Sequence, residues 1–259
     1  MKHSIHILLL SVPLFALWFC TASSAGKEKQ DPNGYAESGK AGYKKVAVLE
    51  LFTSQGCSSC PPADRLLGRY AAKENVIVLT FHVDYWDRLG WKDPFSAKAF
   101  TERQYHYASV IKADVYTPQL VINGQQEMIG SNQSKISGGV KKALSEEASA
   151  ELLIKNVKAE NGRVNINFAA SGNTGGSILN VALLQNVATT EIKTGENGGV
   201  TLTNNNVVRN LKTAGQVIEG NNVSSIDLIQ GLDEKNISVV LFLQDKNTNK
   251  IVAADKAAL

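Results

Sequence analysis

From Val46 to Phe52 every position is apolar except Glu50, and Val76 to Val83 repeats the pattern with Thr80 and His82 as its polar members. Continuous, β-branched runs of this length read as strands buried on both faces of a parallel sheet. Between them Ala63, Leu66, Leu67, Tyr70 and Ala71 recur at helical spacing, so the segment is expected to form a βαβ unit. Asp84 to Lys92 reads as a loop carrying Tyr85, Trp86 and Trp91 among charges. Asp93 is then expected to cap a helix with Pro94 at its first position and Phe100, Tyr107 and Ile111 on one face. Asn123-Gly124 between two apolar runs predicts a tight hairpin. Pro118 stands before the first of those runs, where its missing N–H does no harm. A helix from about Gln133 to Ala150, with Ile136, Val140 and Leu144 inward, closes this half, although Gly138-Gly139 weakens it locally.

Beyond that helix the pattern changes. Asn and Gly clusters at 161–162, 172–176, 195–199, 204–206 and 220–222 act as turn signals. Strand-like runs fall between and after them, at 151–158, 163–169, 178–187, 206–211, 238–244 and 251–254. The expectation is an antiparallel sandwich-like β domain over 150–259, following an α/β domain over 44–149.

Lys2 followed by the mostly apolar Ile5 to Phe19 and then small residues to Ala25 is a signal-peptide pattern over 1–25. Its apolar core is shorter than a membrane span requires, so no span is expected in the mature protein. The bulky Trp18 and Phe19 disfavour lipid attachment at Cys20. Residues 26–43 are polar and read as a flexible linker. The address is therefore export, to the periplasm or the medium. Net charge is only +3, and loss of Lys2 with a leader would lower it further, so nucleic acid and anionic membranes are not expected partners.

The same cleavage would remove Cys20 and leave Cys57 and Cys60, two residues apart at the turn from the first strand to the first helix. A helix N-terminus stabilises thiolate, so Cys57 is the expected exposed nucleophile and Cys60 the thiol that resolves a mixed disulfide. Pro61 and Pro62 suit the first helical turn. A purely structural disulfide is the competing reading, weakened by the small loop such a bridge closes. His82, Asp84 and Asp87 lie where the second strand ends, a usual location for functional groups in α/β sheets. His82 with two thiols would make an incomplete metal set, so no cofactor and no resident metal are expected. Trp86 and Trp91 are expected to anchor the loop or wall a substrate cleft.

Taken together, the strand entering a Cys-x-x-C helix, the crossover, Thr117-Pro118 before a hairpin and the closing helix resemble the thioredoxin fold. That resemblance implies a thioredoxin-like domain ahead of the β domain. It implies a cis Pro118 facing the disulfide with Thr117 beside it, and Glu50 as the buried acid that relays a proton to Cys60. A salt-bridged or edge-exposed Glu50 fits the pattern equally. Residues 48–64, 82–87, 90–95 and 116–119 further resemble a bacterial secreted family of unknown function with such a fold, and the likeness extends to the C-terminus. It includes 194–202, where Glu196 either pairs with Arg209 or helps form a docking face on the redox site.

The reading that results is an exported thiol-disulfide oxidoreductase acting on a protein or small-thiol substrate. Cys57, Cys60, Pro118 and Glu50 would be its catalytic set, and Thr117, Trp86, His82 and Asp84 would line the substrate. The alternatives are a binding module with an inert disulfide and a copper chaperone. Oligomeric state is not legible.

Overall fold

The computed structural model describes residues 42–259. The expected signal peptide, Cys20 and nearly all of the expected linker lie outside the described residues. The chain runs β1 (Ala47–Thr53), α1 (Pro61–Tyr70), β2 (Val76–His82), α2 (Lys98–Ile111), β3 (Gln119–Ile122), β4 (Gln126–Ile129) and α3 (Gln133–Ser145). It continues through β5 (Ala150–Glu160), β6 (Arg163–Gly172), β7 (Ser177–Glu191), β8 (Thr201–Gly215), β9 (Gly220–Asp227), β10 (Ile237–Asp245) and β11 (Ile251–Ala258).

The first βαβ unit forms as its apolar runs require, with β1 and β2 parallel from Ala47↔Val76 to Thr53↔His82. The Asn123-Gly124 hairpin forms between β3 and β4, both turn residues having positive φ (46° and 68°). Asn123 also ties that turn to β1, accepting from the Val48 N–H at 2.7 Å and donating to the Val46 carbonyl at 3.0 Å. Helix α3 packs closely on the hairpin, for a Cβ at Gly139 would lie 2.7 Å from Ile122 Cδ1. The glycine that weakens the helix is what lets it approach the sheet.

The expected fold class, an α/β thioredoxin-like domain followed by an all-β sandwich-like domain, is not what forms. Eleven strands accompany three α-helices among the described residues. Eight of those strands make one mixed sheet in the order β11-β10-β7-β8-β2-β1-β3-β4, and only β5, β6 and β9 make a second. The physical reason lies at β8. One edge of β8 pairs with β7 over most of its length, and its other edge meets β2 in parallel at Thr80↔Val207. That link continues the N-terminal sheet into the C-terminal half. Strand β9 begins in what the sequence analysis treats as a turn signal, at Gly220, and pairs with β6.

Three apolar clusters follow. One joins Val48, Phe52, Leu79 and Phe81 of β1 and β2 to Phe100 and Tyr107 of α2 and to Val240 and Phe242 of β10. A second lies beneath α1 and α3, against Leu49, Leu51 and Val78. The third sits between the three-stranded sheet and β7, β10 and β11. Helix α2 starts at Lys98 with Ala97 at its N-cap, four residues after the expected Asp93 cap, because the Asp93 carboxylate is engaged elsewhere.

Helix α2 carries Arg103, which bridges the halves. Arg103 donates to Glu50 Oε1 at 2.7 Å and to Gln244 Oε1 at 3.2 Å, and Tyr107 donates its hydroxyl to Glu50 Oε2. Glu50 is fully buried. Removing one partner of a buried ion pair leaves the other charge uncompensated. Arg103→Ala should therefore lower the unfolding free energy by about 3 kcal/mol, seen as a lower urea midpoint; an unchanged midpoint would show that the pair does not hold α2 in place.

Candidate functional site

Cys57 and Cys60 form a disulfide at the turn between β1 and α1. The turn is closed by the Cys57 N–H donating to Ser54 O and the Cys60 N–H to Cys57 O, each at 3.2 Å. Cys60 is the N-cap of α1 with Pro61 and Pro62 behind it, and its carbonyl accepts from the Ala63 and Asp64 N–H groups. So the disulfide does stand at a helix N-terminus. The expected exposure of Cys57 is corrected: both cysteines have 0% relative accessibility, while Ser58 and Ser59 between them are exposed.

The cover comes from the turn between β7 and β8. Asn197, itself buried, donates through Nδ2 to Gln55 O at 2.8 Å and to Cys57 O at 3.0 Å. The Ser58 N–H donates to Glu196 Oε2 at 3.0 Å, and hydrogen bonding to Ser58 holds the Glu196 carboxyl below its ordinary value. Thr194 donates its hydroxyl to the Gly90 carbonyl. Gly195 has φ +78°, and a Cβ there would come within 3.2 Å of Trp91 Cβ, so this turn requires glycine to close. Glu196 therefore reaches the disulfide loop. Arg209 instead donates to Gln185 and stacks over Phe95 at 4.9 Å.

Beneath the disulfide loop lies a buried polar array. Asp93 Oδ2 accepts from the Gln55 N–H at 2.8 Å and lies 2.6 Å from His82 Nδ1, while its Oδ1 accepts from the Phe95 N–H at 2.9 Å. These bonds explain why Asp93 does not cap α2. Asp64 accepts from Thr53 Oγ1 at 3.0 Å and from Asn204 Nδ2 at 3.1 Å. Gln55 links the array to both sides, donating to Asn204 Oδ1 at 3.1 Å and accepting from Trp91 Nε1 at 3.1 Å.

Burial pushes the Asp64 carboxyl above its ordinary value, against the opposing effects of the His82 charge and the bonds from Asn204 and Thr53. Burial alone would lower His82, but the Asp93 carboxylate and its hydrogen bond, with Asp64 beyond, raise it overall. Burial likewise opposes ionisation of Asp93, and the His82 charge together with three hydrogen bonds outweighs it, so Asp93 is lowered. His82 Nε2 is buried with no hydrogen-bond partner among the described residues.

The other expected site residues divide. The Thr117-Pro118 peptide is cis, Pro118 is buried against the start of α1 near Ala63 and Gly130, and Trp86 Nε1 donates to Thr117 Oγ1 at 2.9 Å. Trp86 Cβ also lies 3.4 Å from where a Cβ on Gly56 would stand, so Trp86 sits between the disulfide loop and the Thr117-Pro118 segment. Glu50 and Asp84 are not brought to the disulfide. Glu50 shares its sheet face with Val48 and Phe52, facing α2, whereas Leu49, Leu51 and Thr53 face α1. Asp84 Oδ1 accepts from Thr101 Oγ1 at 2.6 Å, and its own N–H donates to the same hydroxyl. It ties the loop to α2. Sequence reasoning missed Gln55, Asp64, Asp93, Asn197 and Asn204 as site residues; only the spacing of Asp64, one helical turn after Cys60, was a usable signal. Among the described residues no group of three or more His, Cys, Asp or Glu has metal-holding geometry, and no helix is long and apolar enough to cross a membrane.

Residues 48–244 match a family model described as "Protein of unknown function (DUF1223)". Among solved structures, the protein AGR_C_4864 from Agrobacterium tumefaciens is similar at 28% identity and TM-score 0.65, over 84% of this chain and 95% of that one. HBP35 of Porphyromonas gingivalis is similar at 17% identity and TM-score 0.62, over 85% of this chain and 77% of that one, a likeness of fold alone. No curated protein matches significantly.

Asn197→Ala removes both bonds that pin the β7–β8 turn to the disulfide loop. The rate of disulfide reduction by a water-soluble phosphine, followed by thiol trapping, should rise about fivefold or more, the two lost hydrogen bonds each contributing about 1 kcal/mol. An unchanged rate would mean that the turn does not limit access.

Proposed function

The chain belongs to the DUF1223 family, whose description names no activity, and from that premise we propose that it is an exported thiol-disulfide oxidoreductase with Cys57 and Cys60 as its redox pair. The observation that carries the reading is the disulfide at the N-terminus of α1, closing a loop of two intervening residues. A bridge of that span contributes little by chain entropy, and a helix N-terminus favours the thiolates that exchange requires. In the direction that reduces substrate, the Cys57 thiolate attacks a substrate disulfide, forming a mixed disulfide and releasing one thiolate. The Cys60 thiolate then attacks the Cys57 sulfur, restoring the internal disulfide and releasing the second thiolate. Two electrons pass from the dithiol to the substrate, and the direction that oxidises substrate thiols reverses each step. The substrate is a protein or small thiol that enters beside Trp86, Thr117 and Pro118. The leader-like residues 1–25 and the disulfide both favour an oxidising compartment outside the cytoplasm.

A second reading, an inert disulfide in a binding module, draws on the complete burial of both sulfurs. Equilibration of the mature protein in glutathione buffers, with trapped thiols counted by mass spectrometry, separates the two. An exchange catalyst should have a potential between about −120 and −270 mV, and a structural bridge one below about −300 mV. Cys57→Ser should abolish exchange and leave the fold intact; a binding module would keep its partner affinity through the same change.

A further inference from the structure

If the pair exchanges, Cys60 must lose a proton when it resolves a mixed disulfide and regain one when the internal disulfide is opened. Glu50 is poorly placed for this, since it faces α2, where Arg103 neutralises it and the Tyr107 hydroxyl donates to it. Resting on the exchange reading, we propose that Asp64, backed by His82, is the group that exchanges this proton with Cys60.

Cys60 has helical backbone angles (φ −80°, ψ −37°) and Asp64 is four residues on, its N–H bonded to the Cys60 carbonyl at 3.2 Å. Side chains so spaced stand one above the other on the same helix face, and both of these are buried. Around Asp64 stand Thr53 of β1, His82 of β2 and Asn204 of β8, with Asp93 beyond His82. The charge of Arg209, from β8, acts on His82 and Asp93. Thr53 and Asn204 orient the Asp64 carboxylate without neutralising it, and His82 is the cation whose charge favours its ionised form. Asp93 fixes Nδ1 of that imidazole, leaving Nε2 buried with no hydrogen-bond partner among the described residues. A buried polar atom left unpaired is uncommon and needs a reason. Here the reason is a carboxyl whose charge changes during the reaction. A cavity of about 230 Å³ lined by Ser54, Pro61, Asp64, Arg65, Leu202 and Asn204 gives Asp64 a route to solvent. The upward displacement of Asp64 by burial brings it nearer neutral pH, where one group can both give and take a proton.

With oxidised glutathione as substrate, the Cys57 thiolate attacks one glutathione sulfur and glutathione thiolate leaves. The Asp64 carboxylate then takes the Cys60 proton, the Cys60 thiolate attacks the Cys57 sulfur, and the second glutathione thiolate leaves. Each sulfur–sulfur bond formed replaces one broken, and the proton on Asp64 passes to solvent through the cavity.

The experiment follows reoxidation of the reduced protein by oxidised glutathione from pH 5 to 9, using acid quench and mass spectrometry to resolve the Cys57–glutathione intermediate. Asp64→Asn should slow the second step on the order of a hundredfold at neutral pH, so that the mixed disulfide accumulates, while its formation is unchanged. Asp64→Glu should restore the second step, and His82→Gln should move its pH inflection upward, because the acid loses its cation. Wild-type rates and pH profile in a folded Asp64→Asn protein would overturn the inference and leave the exchange reading standing. If Asp64→Asn does not fold, an inflection left in place by His82→Gln overturns it equally. A wild-type protein that forms no mixed disulfide at all overturns the exchange reading, and this inference with it.

Discussion

Thr80 of β2 donates its hydroxyl to the Asn205 carbonyl of β8 at 2.8 Å, beside the Thr80↔Val207 pair through which two four-stranded halves become one sheet. Nearly every feature of the site depends on that junction. It sets the N-terminal end of β8 alongside α1, where Asn204 meets Asp64 and Gln55. It also carries the β7–β8 turn across the disulfide.

The need to satisfy buried polar groups explains the composition of this junction. Polar groups removed from water are costly unless hydrogen-bonded. Gln55, Asp64, His82, Asp93, Asn197 and Asn204 are all buried, and they supply bonds to one another or to the disulfide loop. Runs of Asn and Gly that look like turn punctuation thus include side chains that hold the two halves in register. His82 Nε2 is the atom of the array left over, which makes it the natural place to look for chemistry.

The large sheet keeps two charge clusters on opposite faces. Toward α2, Glu50 and Arg103 neutralise each other, and Tyr107 and Gln244 complete their bonds. This cluster is built for rigidity. Toward α1, His82 pairs with Asp93, and Asp64 is held by the neutral donors Thr53 and Asn204, with no salt bridge to it among the described residues. A strand's period of two decides which carboxylate belongs to which cluster.

Local pattern was enough to determine the apolar strands β1 and β2, helix α1 with its proline-rich start, the Asn123-Gly124 hairpin and the placing of Cys57 and Cys60 at a helix N-terminus. Those features arise from contacts between residues close in sequence or from the periodicity of a single element. The same pattern read the C-terminal strands individually but assigned them to a separate sandwich, missed β9 and started α2 too early at Asp93. Which sheet a strand joins depends on the partner that covers its edge, and for β8 that partner, β2, is more than a hundred residues away. Only the tertiary structure decided that Glu50 faces α2, that Asp93 serves Gln55 and His82, and that Asn197 and Glu196 close over the disulfide. Each of these is a pairing of groups distant in sequence, chosen because burial left them no water to bind.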